Sequence, residues 1–405
     1  MNDLASEPMT ASPNSLGLDF NTPALQRKRR IRAFKDRLAR WCVSIGGLAV
    51  LGAITLIFFY LAYVVLPMFQ GADLEKRDAV QPAWLANAGK PLLMTLEEQN
   101  QVGMRLASDG KIQFFDAQSM EALTTIDLPL PAGTEVVSVG EDQPGSHRVA
   151  LGLSNGQALV FEHAYRITYP DDVKTITPSI VYPFGEAPLT IDPQGRPLEH
   201  MGISVNSGTL LIAGSVGSEL QVLSLSREEN MMTGEVEVSE ERLALPQIAE
   251  PIKELIIEPR QHWLFVINGR ATADVFDLRA KALNGRYKLL NDGAREVTHV
   301  TSLLGGISLL IGDSAGGISQ WFMVRDEDGK SDLKQVREFK MADSPVSQII
   351  PEERRKGFIA LDEKGNLGIF HSTAHRTLLV EPVAEGHSIA ALSPRANRVL
   401  VEANG

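Results

Sequence analysis

The 405-residue chain has one cysteine, Cys42. An intrachain disulfide is therefore impossible, and multi-cysteine metal or iron–sulfur sites are excluded. Aromatic residues make up only 6% of the chain, and no long helical period is visible after Pro91. Basic residues are scarce in proportion beyond Arg40. The net charge is -11, yet Met1–Arg40 carries eight Lys/Arg against Asp3, Glu7, Asp19 and Asp36, so the tail is +4 and the rest -15. A body this acidic repels DNA, RNA and anionic headgroups, which argues against nucleic acid as a partner. Without disulfides the region after the tail must be held by burial alone, and more than 300 residues suffice for that.

Charge is also missing from Trp41 to Phe69, WCVSIGGLAVLGAITLIFFYLAYVVLPMF. This run exceeds the roughly 20 apolar residues that cross a bilayer as a helix. Before it lies RKRRIRAFKDRLAR, Arg27–Arg40, with eight bases and one acid, Asp36. Ile31, Phe34 and Leu38 fall at i, i+3 and i+7, the spacing of a short amphipathic helix with a basic face. The positive-inside rule places the N-terminus in the cytoplasm and everything after Phe69 on the far side. The run is too long for the h-region of a cleaved signal, and no small-x-small site closely follows it. Gly46, Gly47, Gly52, Ala49 and Ala53 make part of the helix narrow enough for another membrane helix to approach. Tyr60 and Tyr63 suit an interfacial belt. We expect residues 1–40 to be a disordered segment and then a basic cytoplasmic tail, 41–69 a single transmembrane helix, and 70–90 a linker.

From Pro91 onward short apolar runs alternate with Asp-Gly, Asn-Gly and Gly-Gly turns, the texture of an all-β fold. The runs repeat. SDGKIQFFDAQS, SNGQALVFEHA, VGSELQVLSLS, GRATADVFDLR, SAGGISQWFMV and EKGNLGIFHST begin at Ser108, Ser154, Val216, Gly269, Ser314 and Glu363. A strand such as RVALGLS or WLFVING precedes most of them, and a third such as VVSVGED, IKELIIEP or PVSQIIPE precedes that. The intervals of 46, 62, 53, 45 and 49 residues match the period of propeller blades with loop insertions. Residues 91–405 therefore read as a β-propeller of about seven blades. Ser388–Gly405 supplies only two strands of the last blade, so it is expected to be incomplete and the domain truncated. Pro91–Leu96 is expected to pair with that last blade, and the ring to be open or frayed where its ends meet. Phe114-Phe115, Phe161, Phe276, Trp321-Phe322 and Phe370 recur at matching positions and read as core between blades.

A search for chemistry finds no catalytic constellation. The phosphate-cradling GxxxxGK[ST] loop is absent, because Gly329-Lys330-Ser331 lacks its upstream glycine. GxSxG occurs as GLSNG and GDSAG, around Ser154 and Ser314. A nucleophile elbow needs a helix after the serine; here a strand follows, so both read as hairpin turns. Asp326-Glu327-Asp328-Gly329 begins like a calcium loop, but Arg337 stands where the bidentate Glu belongs. His371 and His375 lie in a loop without the rest of a metal set. The other six histidines read as surface or satisfied core residues. Trp84, Trp263 and Trp321 are too dispersed for the repeated motifs of quinoprotein propellers. No catalytic, cofactor-binding or metal site is expected, and the chain does not read as an enzyme. Tight phosphate binding by the propeller is not expected either; Arg148, Arg260 and Arg270 are the places to look for it.

LQRKRRIRAFKDRLARW followed by GGLAVLGAITLIFFYLAYVVLPMFQGA, with QPAWL after it, resembles the start of the enlarged PstC-type phosphate ABC transporter permeases of Gram-negative bacteria. In those proteins a large periplasmic insert of propeller-like repeats follows the first membrane helix. The resemblance covers tail, helix, linker and repeats. The further permease helices and the ATPase-docking loop have no counterpart in this sequence, so no phosphate-path or ATPase-coupling residue carries over. The resemblance implies the N-terminal portion of an inner-membrane permease subunit, with the propeller as a periplasmic interaction or regulatory domain. It implies as partners a second permease subunit, an ATPase subunit and a periplasmic phosphate-binding protein. The competing reading is a single-pass membrane-anchored propeller scaffold for envelope protein assembly.

Overall fold

The computed structural model describes residues 23–66, 73–229, 236–291, 293–383 and 386–403. The chain separates into two compact units, Met1–Gly71 and Ala72–Gly405. In the first, α1 runs unbroken from Pro23 to Val65. The basic segment and the apolar segment are thus one helix. Residues 1–22, where the disordered segment is expected, lie outside the described residues, and the helix already includes residues 23–26 ahead of the basic tail. The rest of the apolar run, residues 67–69, lies outside the described residues. Proline at the first helical position lacks an N–H that would have been unpaired anyway. Within the apolar part the Thr55 hydroxyl donates to the Leu51 carbonyl at 2.9 Å, so the side chain brings no unpaired donor to the surface.

The second unit is a ring of antiparallel sheets. Blade 1 is β1–β4 (Pro91–Leu96, Val102–Ala107, Lys111–Asp116, Ala122–Asp127). Blade 2 is β5–β8 (Val136–Glu141, Arg148–Leu153, Gln157–Thr168, Thr175–Val181), with β9 (Leu189–Thr190) added to β7. Blade 3 is β10–β13 (His200–Asn206, Thr209–Val216, Glu219–Glu229, Val236–Leu243). Blade 4 is β14–β17 (Ile252–Ile257, Trp263–Asn268, Thr272–Asp277, Ala282–Lys288). Blade 5 is β18–β21 (Val297–Ser302, Ser308–Asp313, Gly317–Arg325, Ser331–Lys340). Blade 6 is β22–β25 (Val346–Pro351, Gly357–Asp362, Asn366–His371, Arg376–Pro382). A two-stranded sheet, β26–β27 (His387–Leu392, Val399–Ala403), occupies the seventh position. Six blades are therefore complete, as the repeat period predicts.

Each complete blade meanders outward from an inner strand. The second and third strands are buried on both faces, which is why they read as continuous apolar runs such as WLFVIN in β15 and GFIALD in β23. The outermost strands are solvated; β4 and β17 bury none of their residues. The faces of neighbouring blades meet in apolar clusters. Leu106, Phe114, Leu151 and Phe161 join blades 1 and 2; Phe265, Ile267, Leu309 and Trp321 join blades 4 and 5. Most of the recurring aromatics are core as expected: Phe114, Phe115, Phe161, Phe276 and Phe370 are each no more than 1% exposed and Trp321 is buried, whereas Phe322 is only half-buried.

The ring is closed, contrary to the expectation of a frayed join. Met94, Leu96 and Ala117 of blade 1 pack on Ile389 and Ala391, and Ile359, Leu361 and Leu367 of blade 6 pack on Ala390 and Leu392. β1 pairs with β2, not with the last blade. Closure is by side chains across the face: Arg105 Nε donates to Glu402 at 2.7 Å, and Asn100 Nδ2 to Asn397 at 2.9 Å. On the blade 6 side, Gln348 Nε2 donates to the Ala390 carbonyl at 3.1 Å, and the Ala390 N–H donates back to Gln348 Oε1 at 2.9 Å.

The linker is partly structured. Ala83–Asn87 forms a 3₁₀ turn. Trp84 stacks on Phe115 at 5.2 Å and its Nε1–H donates to the Met120 carbonyl at 2.9 Å. Phe115 in turn lies over Gly103, where an added Cβ would sit 2.3 Å from the ring. A glycine is what lets this ring lie flat on β2.

Candidate functional site

The inner strands β1, β5, β10, β14, β18, β22 and β26 surround an axial cavity of about 310 Å³. Several carry a bulge near their start, between Val136 and Ser138, Ile252 and Glu254, Val297 and His299, and Val346 and Gln348. The extra residue re-aims the side chains of the remaining strand. It puts Ser138, Glu254, His299 and Gln348 at one register in blades 2, 4, 5 and 6, two of them ionisable.

The strands end in buried acids. Glu97, Asp142, Glu258 and Glu352 come directly after β1, β5, β14 and β22 and are at most 8% exposed. Glu97 accepts the Gln99 and Gln101 N–H groups at 2.7 Å, and Asp142 accepts Arg148 Nη1 at 3.1 Å. These carboxylates organise the turns to the second strands. Asp142 also begins a longer connection, Asp142–His147, that reaches from blade 2 to blade 6. Gly145 and His147 adopt φ of 81° and 59°, and His147 Nε2 lies 3.7 Å from Glu353 Oε2. The ring of His147 stacks at 4.7 Å on His163, which is 4% exposed.

Four carboxylates line the cavity, Glu141, Asp142, Glu254 and Glu353, against one guanidinium, Arg148. Arg148 is taken up by Asp142 and by Glu162 at 3.2 Å. Glu141 keeps exposed surface and lines the cavity. Burial, and then the charge of Glu353, push its pKa up. Burial pushes Asp142 up in spite of Arg148, and takes Glu254 up to about 7. Burial takes His163 down to about 3 and His299 to about 4, so both rings are neutral near pH 7. The Nδ1 atoms of both lack a hydrogen-bond partner. These two are therefore not the satisfied core histidines expected from their scatter in the sequence. A net-negative cavity with neutral imidazoles suits a cation better than an anion.

The motifs met in the sequence fall elsewhere. Ser154 and Ser314 sit in the turns after β6 and β19, and each hydroxyl accepts a backbone N–H at 3.1 Å, from Glu135 and Glu296. A strand comes next in both cases, as the hairpin reading requires. Asp326 accepts the Lys330 N–H at 2.7 Å in the turn from β20 to β21. His371 Nδ1 accepts the Ala374 N–H and His375 Nε2 meets the Glu338 carbonyl, so the pair does not converge. Arg260 and Arg270 lie at opposite ends of β15 beside Glu258 and Glu250, at 4.0 and 3.5 Å, and do not gather with Arg148. None of the cavity's ionisable residues stands in a recognisable motif. The nearest signal is the acid ending VVSVGED, IKELIIEP and PVSQIIPE.

No family model matches the chain, and no curated protein matches it. Among solved structures it is similar to the Cps50 (Swd1) β-propeller domain of Myceliophteria thermophila, with 10% identity and a TM-score of 0.52 over 81% of this chain and 95% of that one. It is also similar to Raptor of Chaetomium thermophilum, with 17% identity and a TM-score of 0.50 over 78% of this chain and 27% of that one. At these identities the likeness establishes the propeller fold alone.

Proposed function

We propose that this chain is the N-terminal portion of the permease subunit of a phosphate ABC importer in a bacterial inner membrane. The propeller stands in the periplasm as an interaction or regulatory domain. The observation that carries this reading is α1. A basic flank passes without a break into a charge-free helix, and Trp41–Val65 alone extends about 37 Å at 1.5 Å per residue. That exceeds the roughly 30 Å of a bilayer's hydrocarbon core. The same residues carry the resemblance to the enlarged PstC-type permeases. Gly46, Gly47 and Gly52 leave the helix backbone open to close approach, as a helix packed among others requires. The second permease subunit, the ATPase and the phosphate-binding protein are the partners this reading names.

The test is a strain lacking this chain, grown under phosphate limitation and assayed for labelled phosphate uptake. In parallel the tagged chain is purified in mild detergent. High-affinity uptake should fall, and the ATPase and second permease subunit should co-purify. Unchanged uptake together with no co-purifying ATPase would overturn the proposal and favour the single-pass envelope scaffold.

A further inference from the structure

We propose that the outer edge of β27 is a docking site for an extended segment of a partner polypeptide, which adds two strands and completes the seventh blade. This does not depend on the permease reading. Six blades have four strands and the seventh position has two, and among the described residues no strand pairs with the outer edge of β27. The deficit shows in burial. The second strands β2, β15 and β23 are buried along their whole length, whereas residues 399–402 of β27 are only half-buried. The edge is also unguarded. Proteins commonly blunt an exposed edge with Lys, Pro or a free charge. VLVEA has neither Lys nor Pro, and its one charge, Glu402, is held by Arg105.

The shape of the gap selects the occupant. Blades 1 and 6 reach two strands further from the axis than β27, so they wall a slot about 10 Å deep at the spacing of paired strands. A second copy does not fit, because pairing β27 with β27 would bring blades 1 and 6 of both copies into the same space. A slender extended segment fits, its backbone pairing with the N–H and C=O groups of the edge. The walls set its side-chain pattern. On the blade 6 side, Ile369 and Leu379 lie opposite each other on β24 and β25 and are half-buried. Ile369 packs there beside Val399 and Val401 of β27. On the blade 1 side, Gln113 lies opposite Arg105, on the face that meets Glu402, and accepts the Thr125 hydroxyl at 2.7 Å. Successive side chains of the segment therefore alternate, apolar toward blade 6 and polar toward blade 1.

The experiment uses the full chain in detergent micelles and two labelled synthetic peptides, residues 366–382 and 272–288 of this sequence. Each peptide carries the third and fourth strands of a complete blade. Fluorescence anisotropy should show saturable binding of both, and none of a scrambled 366–382 peptide. Hydrogen exchange should slow in β27 when a peptide is bound and stay unchanged in β15. Leu379→Lys in the chain changes a half-buried residue of an outer strand and should weaken binding about tenfold, the scale of burying one leucine. No saturable binding, binding that leaves β27 unprotected, or equal affinity in Leu379→Lys would each overturn the proposal. So would protection of β27 that rises with the chain's own concentration in the absence of peptide, since the occupant would then be a second copy.

Discussion

Arg105 and Glu402 lie 297 residues apart and form a two-point contact, Nε to Oε2 at 2.7 Å and Nη2 to Oε1 at 2.9 Å. The Arg105 side chain is 4% exposed and that of Glu402 13%. Arg105 Nη2 also donates to the Gly89 carbonyl at 2.9 Å. One guanidinium thus ties the linker, the first blade and the last strand together. Removing one partner of a buried pair leaves the other charge without its main counter-ion and costs up to about 3–5 kcal/mol. Arg105→Ala should therefore lower the urea midpoint substantially and speed hydrogen exchange in β1, β26 and β27. Arg105→Met with Glu402→Leu should recover most of the loss. An unchanged exchange pattern in Arg105→Ala would mean that the apolar contacts alone hold the join.

Two buried groups give stability opposite pH slopes. Glu254 has its pKa raised from 4.5 to about 7, so the folded state holds a proton that the unfolded state releases. Its penalty is absent below about pH 4.5, grows to about pH 7 and then stays constant. At pH 8, Glu254→Gln should gain at most about 3 kcal/mol, less where solvent reaches the carboxyl, and at pH 4 nothing.

His163 runs the other way. Its pKa falls from 6.5 to about 3 on folding, so stability is lost as pH drops below 6.5. Between pH 6.5 and 5 that loss is roughly 2 kcal/mol. His163→Phe keeps a ring for His147 and Tyr165 to pack on and should flatten the melting-temperature profile over this interval. A profile as steep as the parent's would assign the acid sensitivity to another group.

Trp84 fixes the linker to blade 1 through Phe115 and the Met120 carbonyl. Trp84→Ala should expose residues 73–90 to limited proteolysis while β2 and β3 stay protected. The blade should survive because Phe114 and Leu106 hold its other face against blade 2. Loss of protection throughout blade 1 would show that Trp84 is part of the core.

Inorganic phosphate should give no micromolar binding to the propeller by calorimetry. Arg148, Arg260 and Arg270 each already face a carboxylate and lie apart from one another. A dianion would have to displace Asp142 from Arg148 inside an acidic cavity. Micromolar binding lost in Arg148→Ala would contradict this.

The blade period is legible because the turns after the second strands repeat a chemical device. Ser108, Ser154, Gly269, Ser314 and Glu363 fall at those turns and Val216 ends the strand before one, and Asp313 and Asp362 receive N–H groups of the tight turn. The doubly buried second and third strands also show plainly. The outermost strands do not, since ALTTID and ALNGRYK are solvated and need no apolar pattern. Closure of the ring escapes a sequence reading. It rests on Arg105–Glu402 and Gln348–Ala390, contacts between distant parts of the chain that no local pattern reveals. The cavity residues are invisible for the same reason: Glu141, Glu254 and Glu353 look like surface acids until the inner strands curl them around one axis.

α1 is a rod of 43 residues, about 65 Å long and without a joint. At about 100° per residue, Ile31, Phe34 and Leu38 fall in the same 120° sector as Gly46, Ala49, Gly52 and Ala53. The greasy side of the basic segment and the narrow side of the apolar segment are therefore locked in phase. A body that seats against the narrow side meets the greasy side of the next turns as well. If α1 crosses a bilayer as proposed, the face that its apolar part presents there also sets the face that its basic part presents.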